Sequence, residues 1–93
     1  MDISFDPAKN ERNIRERGLS FERAADFDFS SALYFADSRK DYGEVRYIAV
    51  SYLDLRLHVL CFTETATGIR VISFRKANQR EVRLHGKPKT LDR

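Results

Sequence analysis

The sequence predicts a small α+β domain, in which an antiparallel sheet of three to four strands carries two N-terminal helices and one C-terminal helix. Residues 44–52, 56–64 and 69–75 each alternate in polarity, as half-buried strands do. The loops between them are short, which favours antiparallel neighbours. Helix signals occur only before and after this block. With 93 residues and 42% hydrophobic content, the chain is expected to form one domain, residues 1–93, around one modest core.

The two N-terminal helices are predicted from their ends. Asp6 can cap a helix over residues 7–17, for which Pro7 is a suitable first residue and Gly18 a suitable stop. Ser20 is predicted to cap a second, shorter helix. The apolar stripe of that second helix consists of Phe21, Ala24, Ala25 and Phe27.

Four further segments complete the predicted fold. Residues 32–36 are apolar and form either a first strand or a packed loop. Residues 65–68 read as a hairpin loop whose glycine can take a positive φ. A last helix is predicted over residues 76–85, ending at a glycine. Residues 86–93 are then expected to form a loose tail.

Positive charge is concentrated at the end of the chain. Residues 69–93 contain eight Lys or Arg and two acidic residues, which gives 8 − 2 = +6. The remaining residues contain nine basic and twelve acidic side chains, or −3, and the sum is the net charge of +3. Such a segment is typical of a protein that meets a polyanion, although a solvated basic helix has the same composition.

Composition argues against several classes of protein. Cys61 is the only cysteine, which excludes an intrachain disulfide and a thiolate-rich zinc site. The sequence has no glycine-rich phosphate loop and only two histidines, so we predict neither a cofactor nor a metal site. No apolar run approaches the ~20 residues of a membrane span, and no secretion signal is present. The expected location is the cytoplasm.

The cationic side chains suit metal-free cleavage of RNA. In that reaction the 2′-hydroxyl loses a proton, the phosphate oxygens need positive charge, and the leaving 5′-oxygen gains a proton. Arginine matches phosphate geometry, and a carboxylate or a neutral histidine can act as the base. Glu44 and Arg46 share one face of their predicted strand. They are either part of such a site or an exposed ion pair that contributes less than ~1 kcal/mol.

Spacing predicts how the other cations are arranged. Lys76, Arg80 and Arg83 would form one basic ridge on the last helix. Arg70 and Arg75 are five residues apart on one strand and are therefore expected on opposite faces of the sheet. Of the two histidines, His58 favours a half-buried structural role, and His85 in the basic segment is the better candidate for chemistry.

Three groups of residues in order resemble a known family. The groups are residues 5–9 (FDPAK) with Asn13 and residues 17–22 (RGLSFE), then Asp37 with residues 43–46 (GEVR), and finally residues 68–81 (GIRVISFRKANQRE). Together they resemble the BrnT family of bacterial type II toxins, whose folds resemble the RelE group of ribonucleases.

The resemblance implies a metal-independent endoribonuclease that arrests translation. It also implies a BrnA-type ribbon-helix-helix antitoxin, through which alone the toxin would reach operator DNA. On the matching positions we assign catalytic roles to Lys9, Glu44, Arg46, Arg75 and Arg80. We assign RNA binding to Arg70, Lys76, Arg83 and His85.

The chain departs from the family at three points. Phe5 stands where the family often has Trp, and Tyr52 stands where a glycine is common. His85 stands where a tyrosine often occurs near the end of the last helix, so His85 is expected either to replace it as an acid or base or to leave the activity weaker. Two other functions fit the same residues: a non-catalytic module that binds nucleic acid or a partner, and a regulatory subunit whose exposed apolar residues dock a partner.

Overall fold

The computed structural model describes residues 1–92 and shows a five-stranded sheet. The strands are β1 (Asp2–Phe5), β2 (Leu33–Ala36), β3 (Tyr47–Leu53), β4 (Arg56–Glu64) and β5 (Gly68–Lys76). The helices are α1 (Pro7–Arg17), a 3-10 helix (Phe21–Asp26) and α2 (Gln79–His85). The spatial order of the strands is β1-β5-β4-β3-β2. All neighbours are antiparallel except β1 and β5, which are parallel.

The α+β class is confirmed, whereas the predicted number of strands is wrong because β1 was not recognised. β1 has only four residues, and its partner β5 lies far along the chain. Gly68 permits this pairing, since a Cβ at that position would overlap the main chain of Asp2. The glycine therefore allows a close approach of two strands, and the positive φ predicted for it does not occur.

The second predicted helix is a 3-10 helix. Phe21, Ala24 and Phe27 follow each other at intervals of three residues and are all buried. Because a 3-10 helix has three residues per turn, this spacing places all three side chains on one side. The Ser20 hydroxyl accepts a hydrogen bond from the Glu22 amide, so the predicted cap is confirmed.

The first helix has the predicted bounds, with caps at Asp6 and Gly18, and it is attached to the sheet by an amide side chain. Asn13 is buried, and its Nδ2 donates to the carbonyl oxygens of Leu19 and Phe74, each at 2.9 Å. This explains why a largely charged helix packs against the free edge of β5.

Both faces of the sheet are covered. The first face carries the larger core, in which the 3-10 helix packs on Leu60, Phe62 and Phe74. The second face carries a smaller core of Val50, Tyr52, Leu57, Val59 and Ala77, against which α2 packs through Val82.

The last helix begins three residues later than predicted. Asn78 and Glu81 form a capping box, so Lys76 is the last residue of β5 and the predicted ridge of Lys76, Arg80 and Arg83 is wrong. Gly86 ends the helix as expected.

Residues 88–91 of the predicted loose tail are attached to the sheet. Lys89 O accepts from Leu57 N at 2.8 Å, and Leu91 N donates to Leu55 O at 2.8 Å. Arg93, the end of that predicted tail, lies outside the described residues.

Candidate functional site

A β-bulge in β5 brings its two arginines to the same face of the sheet. Val71 is opposite Phe62 and Ser73 is opposite Cys61, so Ile72 is an extra residue. Arg70 therefore pairs with Thr63 and Arg75 pairs with Val59. These partners are four residues apart on β4, and both arginines lie on the second face. The prediction that Arg70 and Arg75 lie on opposite faces is wrong.

Cys61 lies at the centre of this face, and the charges around it show which side chains converge there. Burial raises the pKa of its thiol, so Cys61 is a packed, protonated side chain. Asp37 raises that pKa further, while Arg46, Arg39 and Lys9 lower it. Lys9 lies at a cavity with Ser73, the β5 partner of Cys61, and Arg46 lies two residues before Ile48, the β3 partner of Cys61. Asp37 binds Arg39 and donates its main-chain N–H to Arg46 O, so all four residues lie around Cys61.

Arg75 belongs to the same surface. Ser73 is the partner of Cys61 in β5, and Arg75 follows on the same face. Glu81 raises the pKa of Arg75, and burial and the positive charge of Arg39 oppose that rise. We define Lys9, Arg39, Arg46 and Arg75 as the cationic patch.

Lys9 reaches the patch from α1. It lies at a shallow cavity of about 250 Å³ between α1 and β5, together with Ile72 and Ser73. Helix α1 stands there because Asn13 holds it at the edge of β5. Lys9 is exposed, so it is open to a ligand on this face.

The segment before β3 is organised by a buried carboxylate. Asp37 accepts from Arg39 Nε at 2.8 Å, from Arg39 Nη2 at 2.7 Å and from the Tyr42 hydroxyl at 3.2 Å. The Arg39 guanidinium holds the pKa of Asp37 well below its usual range. The main chain of Asp37 donates to Arg46 O at 2.7 Å, which aligns the two segments.

Arg46 is held between an aromatic ring and a carboxylate. Its guanidinium carbon lies 3.9 Å from the centre of the Tyr42 ring, and its Nε donates to Glu44 Oε1 at 3.4 Å. Glu44 and Arg46 precede β3, so they do not lie on a strand as predicted. Glu44 is exposed and its carboxylate stays next to Arg46.

Arg75 is fixed by a two-point ion pair with α2. Its Nη1 and Nη2 donate to the two carboxylate oxygens of Glu81 at 2.7 and 2.8 Å. This pair lowers the pKa of Glu81 to about 2. The assigned site residues did not include Glu81, although the spacing of Asn78 and Glu81 is the signature of a capping box. That spacing also marks the true start of α2.

Helix α2 turns only some of its residues toward the patch. Glu81, Val82 and His85 are half-buried against the sheet, whereas Arg80 and Arg83 are exposed. The His85 ring lies 5.2 Å from the ring of Phe35 on β2. Arg80 and Arg83 therefore lie on the outer, solvent-facing side of α2.

Lys76 is the assigned residue that the structure separates from the others. It pairs with His58 and therefore faces the first side of the sheet, opposite to Arg75. Of the assigned residues, Lys9, Arg46 and Arg75 surround Cys61 and Ser73, Glu44 is next to Arg46, and Arg70 shares their face. Arg39, which completes the patch, had no sequence signal apart from its place in a polar loop.

A family model matches most of the chain. Residues 5–81 match the family model described as the ribonuclease toxin BrnT of type II toxin-antitoxin systems. The chain belongs to the BrnT family. A search of curated proteins returned no significant match.

Membership of the BrnT family implies an RNA substrate and a protein antitoxin. The matched region contains every residue of the cationic patch. Within residues 1–92, no group of three or more His, Cys, Asp or Glu side chains is arranged to hold a metal ion. In the same part of the chain, no helix is both long and apolar enough to cross a bilayer.

Proposed function

We propose that this BrnT protein cuts the RNA backbone at the cationic patch, and that the cut needs no metal ion. The observation that supports the proposal is that Lys9, Arg46 and Arg75, from three separate segments, lie on one face near Cys61 and Ser73. Positive groups that are fixed before the substrate arrives stabilise the charge that develops on phosphate oxygens.

The proposed reaction is an internal transfer. The 2′-hydroxyl oxygen of one nucleotide attacks the adjacent phosphorus, a new P–O2′ bond forms, and the bond to the 5′-oxygen breaks. Glu44 takes the proton from the 2′-hydroxyl, and His85 gives a proton to the leaving 5′-oxygen. The products are a 2′,3′-cyclic phosphate and a free 5′-hydroxyl.

Arg46 and Arg75 are the residues that bind the charged phosphate oxygens. Arg46 is pre-positioned because it stacks on Tyr42. Arg75 has five N–H donors, of which Glu81 takes two and the carbonyl of Lys76 takes one. Two donors remain for a phosphate.

The neighbouring phosphates are assigned to the other cations. Lys9 holds the backbone next to the scissile bond, and Arg70 extends the same face along β5. Arg80 and Arg83 bind phosphates further along, on the outer side of α2. Lys76 is removed from this set because it faces the other side of the sheet.

In the cell, the proposed effect is inhibition of translation by cleavage of mRNA in the cytoplasm. The proposed antitoxin is a BrnA-type ribbon-helix-helix protein, through which the complex would contact operator DNA. Strand β2 is an edge strand that exposes Leu33, Tyr34 and Phe35, and Phe35 is next to His85. An antitoxin that packs on this apolar edge would also cover the patch.

The test uses a short RNA oligonucleotide, incubated with purified protein in the presence of a metal chelator, with and without ribosomes. We expect cleavage that leaves a 2′,3′-cyclic phosphate, detected by mass spectrometry of the products. An oligonucleotide with one 2′-deoxy residue at the cut site is the matched control and should stay intact at that position. Intact RNA under every condition, or cleavage of the deoxy control, would contradict the proposal.

A further inference from the structure

A cavity of about 630 Å³ opens mainly on the first face, and Arg75 of the cationic patch also lines it. It lies between the end of α1, the turn that joins β3 to β4, and the end of β5. Five of its lining residues are Lys or Arg and one, Asp54, is acidic. A cavity of this volume accommodates one nucleotide.

Most of the positive charge in this cavity is not neutralised. Arg23 is paired with Asp54, through contacts of 2.8 and 3.0 Å, and Arg75 is paired with Glu81. Arg56 donates to two neutral carbonyl groups, and Arg17 donates to the neutral side chain of Asn13. Lys76 has no side-chain hydrogen bond or ion pair to another residue among positions 1–92. Three cations are thus available to an anion.

His58 at the cavity presents one hydrogen-bond acceptor. Its ring is 4% exposed, and its Nδ1 lies 2.7 Å from the carbonyl oxygen of Arg56. A carbonyl can only accept, so Nδ1 carries the hydrogen and Nε2 of the neutral ring carries a lone pair. Among residues 1–92, every fully buried side-chain nitrogen or oxygen has a partner, and Nε2 has none. Nε2 therefore opens into the cavity that the ring lines.

We propose that this cavity binds a phosphate group with a hydroxyl next to it, as in an RNA strand or a free ribonucleotide. Arg17, Arg56 and Lys76 bind the phosphate oxygens, because they carry charge that no carboxylate cancels. Nε2 of His58 accepts a hydrogen bond from the hydroxyl. Its three available cations, Arg17, Arg56 and Lys76, have no role in the proposed cleavage, and Arg75, which the two sites share, is held by Glu81.

The hydroxyl is tested with a matched pair of ligands. Adenosine 3′-monophosphate and its 2′-deoxy form differ only in the hydroxyl next to the phosphate, and binding of each is measured by calorimetry. We expect the ribonucleotide to bind about three- to tenfold more tightly, as one added hydrogen bond allows. In His58→Phe, whose ring can pack on Phe74 as the imidazole does, this preference should disappear. Equal binding of the two ligands to the unmodified protein would overturn the assignment of Nε2.

The phosphate contact is tested with a matched pair of variants. Lys76→Gln should weaken binding of adenosine 3′-monophosphate about three- to tenfold, and Lys89→Gln, which removes the same charge from an exposed position outside the cavity, should not. Equal affinities of the two variants, or absence of binding to the unmodified protein, would refute the site.

An RNA oligonucleotide, tested on the Arg46→Ala protein, identifies the natural source of the phosphate. RNA that competes with the nucleotide supports a strand as the ligand. RNA that does not compete supports a free ribonucleotide at the same site. Either result is separate from cleavage, which the Arg46→Ala protein is expected to lack.

Discussion

The two faces of the sheet both collect cationic side chains, but they hold them differently. On the second face, Arg39, Arg46 and Arg75 each donate to a carboxylate, those of Asp37, Glu44 and Glu81. In the cavity on the first face, Arg17 and Arg56 donate to neutral oxygens. A carboxylate orients a guanidinium and offsets part of its charge, whereas a neutral oxygen orients it and leaves the charge in place. The second face is therefore suited to positioning, and the cavity to attraction of an anion.

The largest expected effect is that of Arg46→Ala on cleavage. Loss of one fixed charge donor reduces turnover by about 10²–10³-fold in comparable sites. The initial rate on an RNA oligonucleotide measures the change. Arg15→Ala, which removes an exposed arginine from α1, is the control and should retain its rate. If both variants cut RNA at the same rate, the guanidinium of Arg46 on the second face does not contribute to cleavage.

Glu44→Gln separates a base from an exposed ion pair. If Glu44 takes the proton of the 2′-hydroxyl, cleavage should fall by about 10²-fold. If the carboxylate only pairs with Arg46, the rate should change little, because such exposed pairs contribute less than ~1 kcal/mol. Unfolding in denaturant, measured on the same protein, should show nearly unchanged stability in either case.

Glu81→Gln tests how much the carboxylate that holds Arg75 on the second face contributes to the free energy of unfolding. Glutamine can keep the capping box, so the variant removes mainly the charge of the pair with Arg75. We expect the free energy of unfolding at pH 7 to fall by about 1–3 kcal/mol, measured in denaturant.

The pH dependence of this difference follows from the pKa of Glu81. That pKa is about 2 in the folded protein and 4.5 in a free side chain. The stabilisation is complete above about 4.5 and is lost as the pH falls through about 2. The two proteins should therefore converge in stability toward pH 2, and a constant difference from pH 7 to pH 2 would argue against the ion pair.

On the first face, His58 should make the stability of the protein depend on pH in a different range. Burial lowers its pKa from 6.5, and the positive charges of Arg56 and Lys76 lower it further, while the carbonyl of Arg56 and the charge of Asp54 act in the opposite direction. Since the folded state resists protonation of His58, stability should be constant above about pH 6.5 and should decline below it. His58→Phe should lack this decline in denaturant titrations between pH 7 and pH 5. Parallel curves for the two proteins would contradict the assignment.

The sequence predicted local structure well where the signals are local. The bounds of β4 and the glycine stops of α1 and α2 follow from alternation and capping. β1 was missed, because a four-residue parallel strand is recognisable only through a partner more than sixty residues away. The type of the second helix could not be predicted, because apolar residues spaced by three can pack in a 3-10 helix or in an α-helix.

The site was predictable only in part, for a related reason. One extra residue, Ile72, decides that Arg70 and Arg75 share a face, and nothing in the local pattern marks it. Placing the start of α2 at Asn78 moves Lys76 from the helix to the opposite side of the sheet. The selection of Lys9 and Arg46 came from the family resemblance, since no spacing rule relates α1 to the segment before β3.

The smallest expected effect is that of Asp54→Asn, which removes the carboxylate that pairs with Arg23 at the cavity. Asp54 lies in a turn with φ of 49°, a conformation that asparagine also adopts readily, so the fold should be retained. Its pair with Arg23 is exposed and contributes less than ~1 kcal/mol to stability. Asp54 is the acidic residue that lines the cavity, so its removal makes the cavity more positive, and the affinity for adenosine 3′-monophosphate should rise about two- to fivefold. Asp26→Asn is the control, because Asp26 also pairs with Arg23 but does not line the cavity. A rise in both variants, or in neither, would mean that the charge of Asp54 does not act on the cavity.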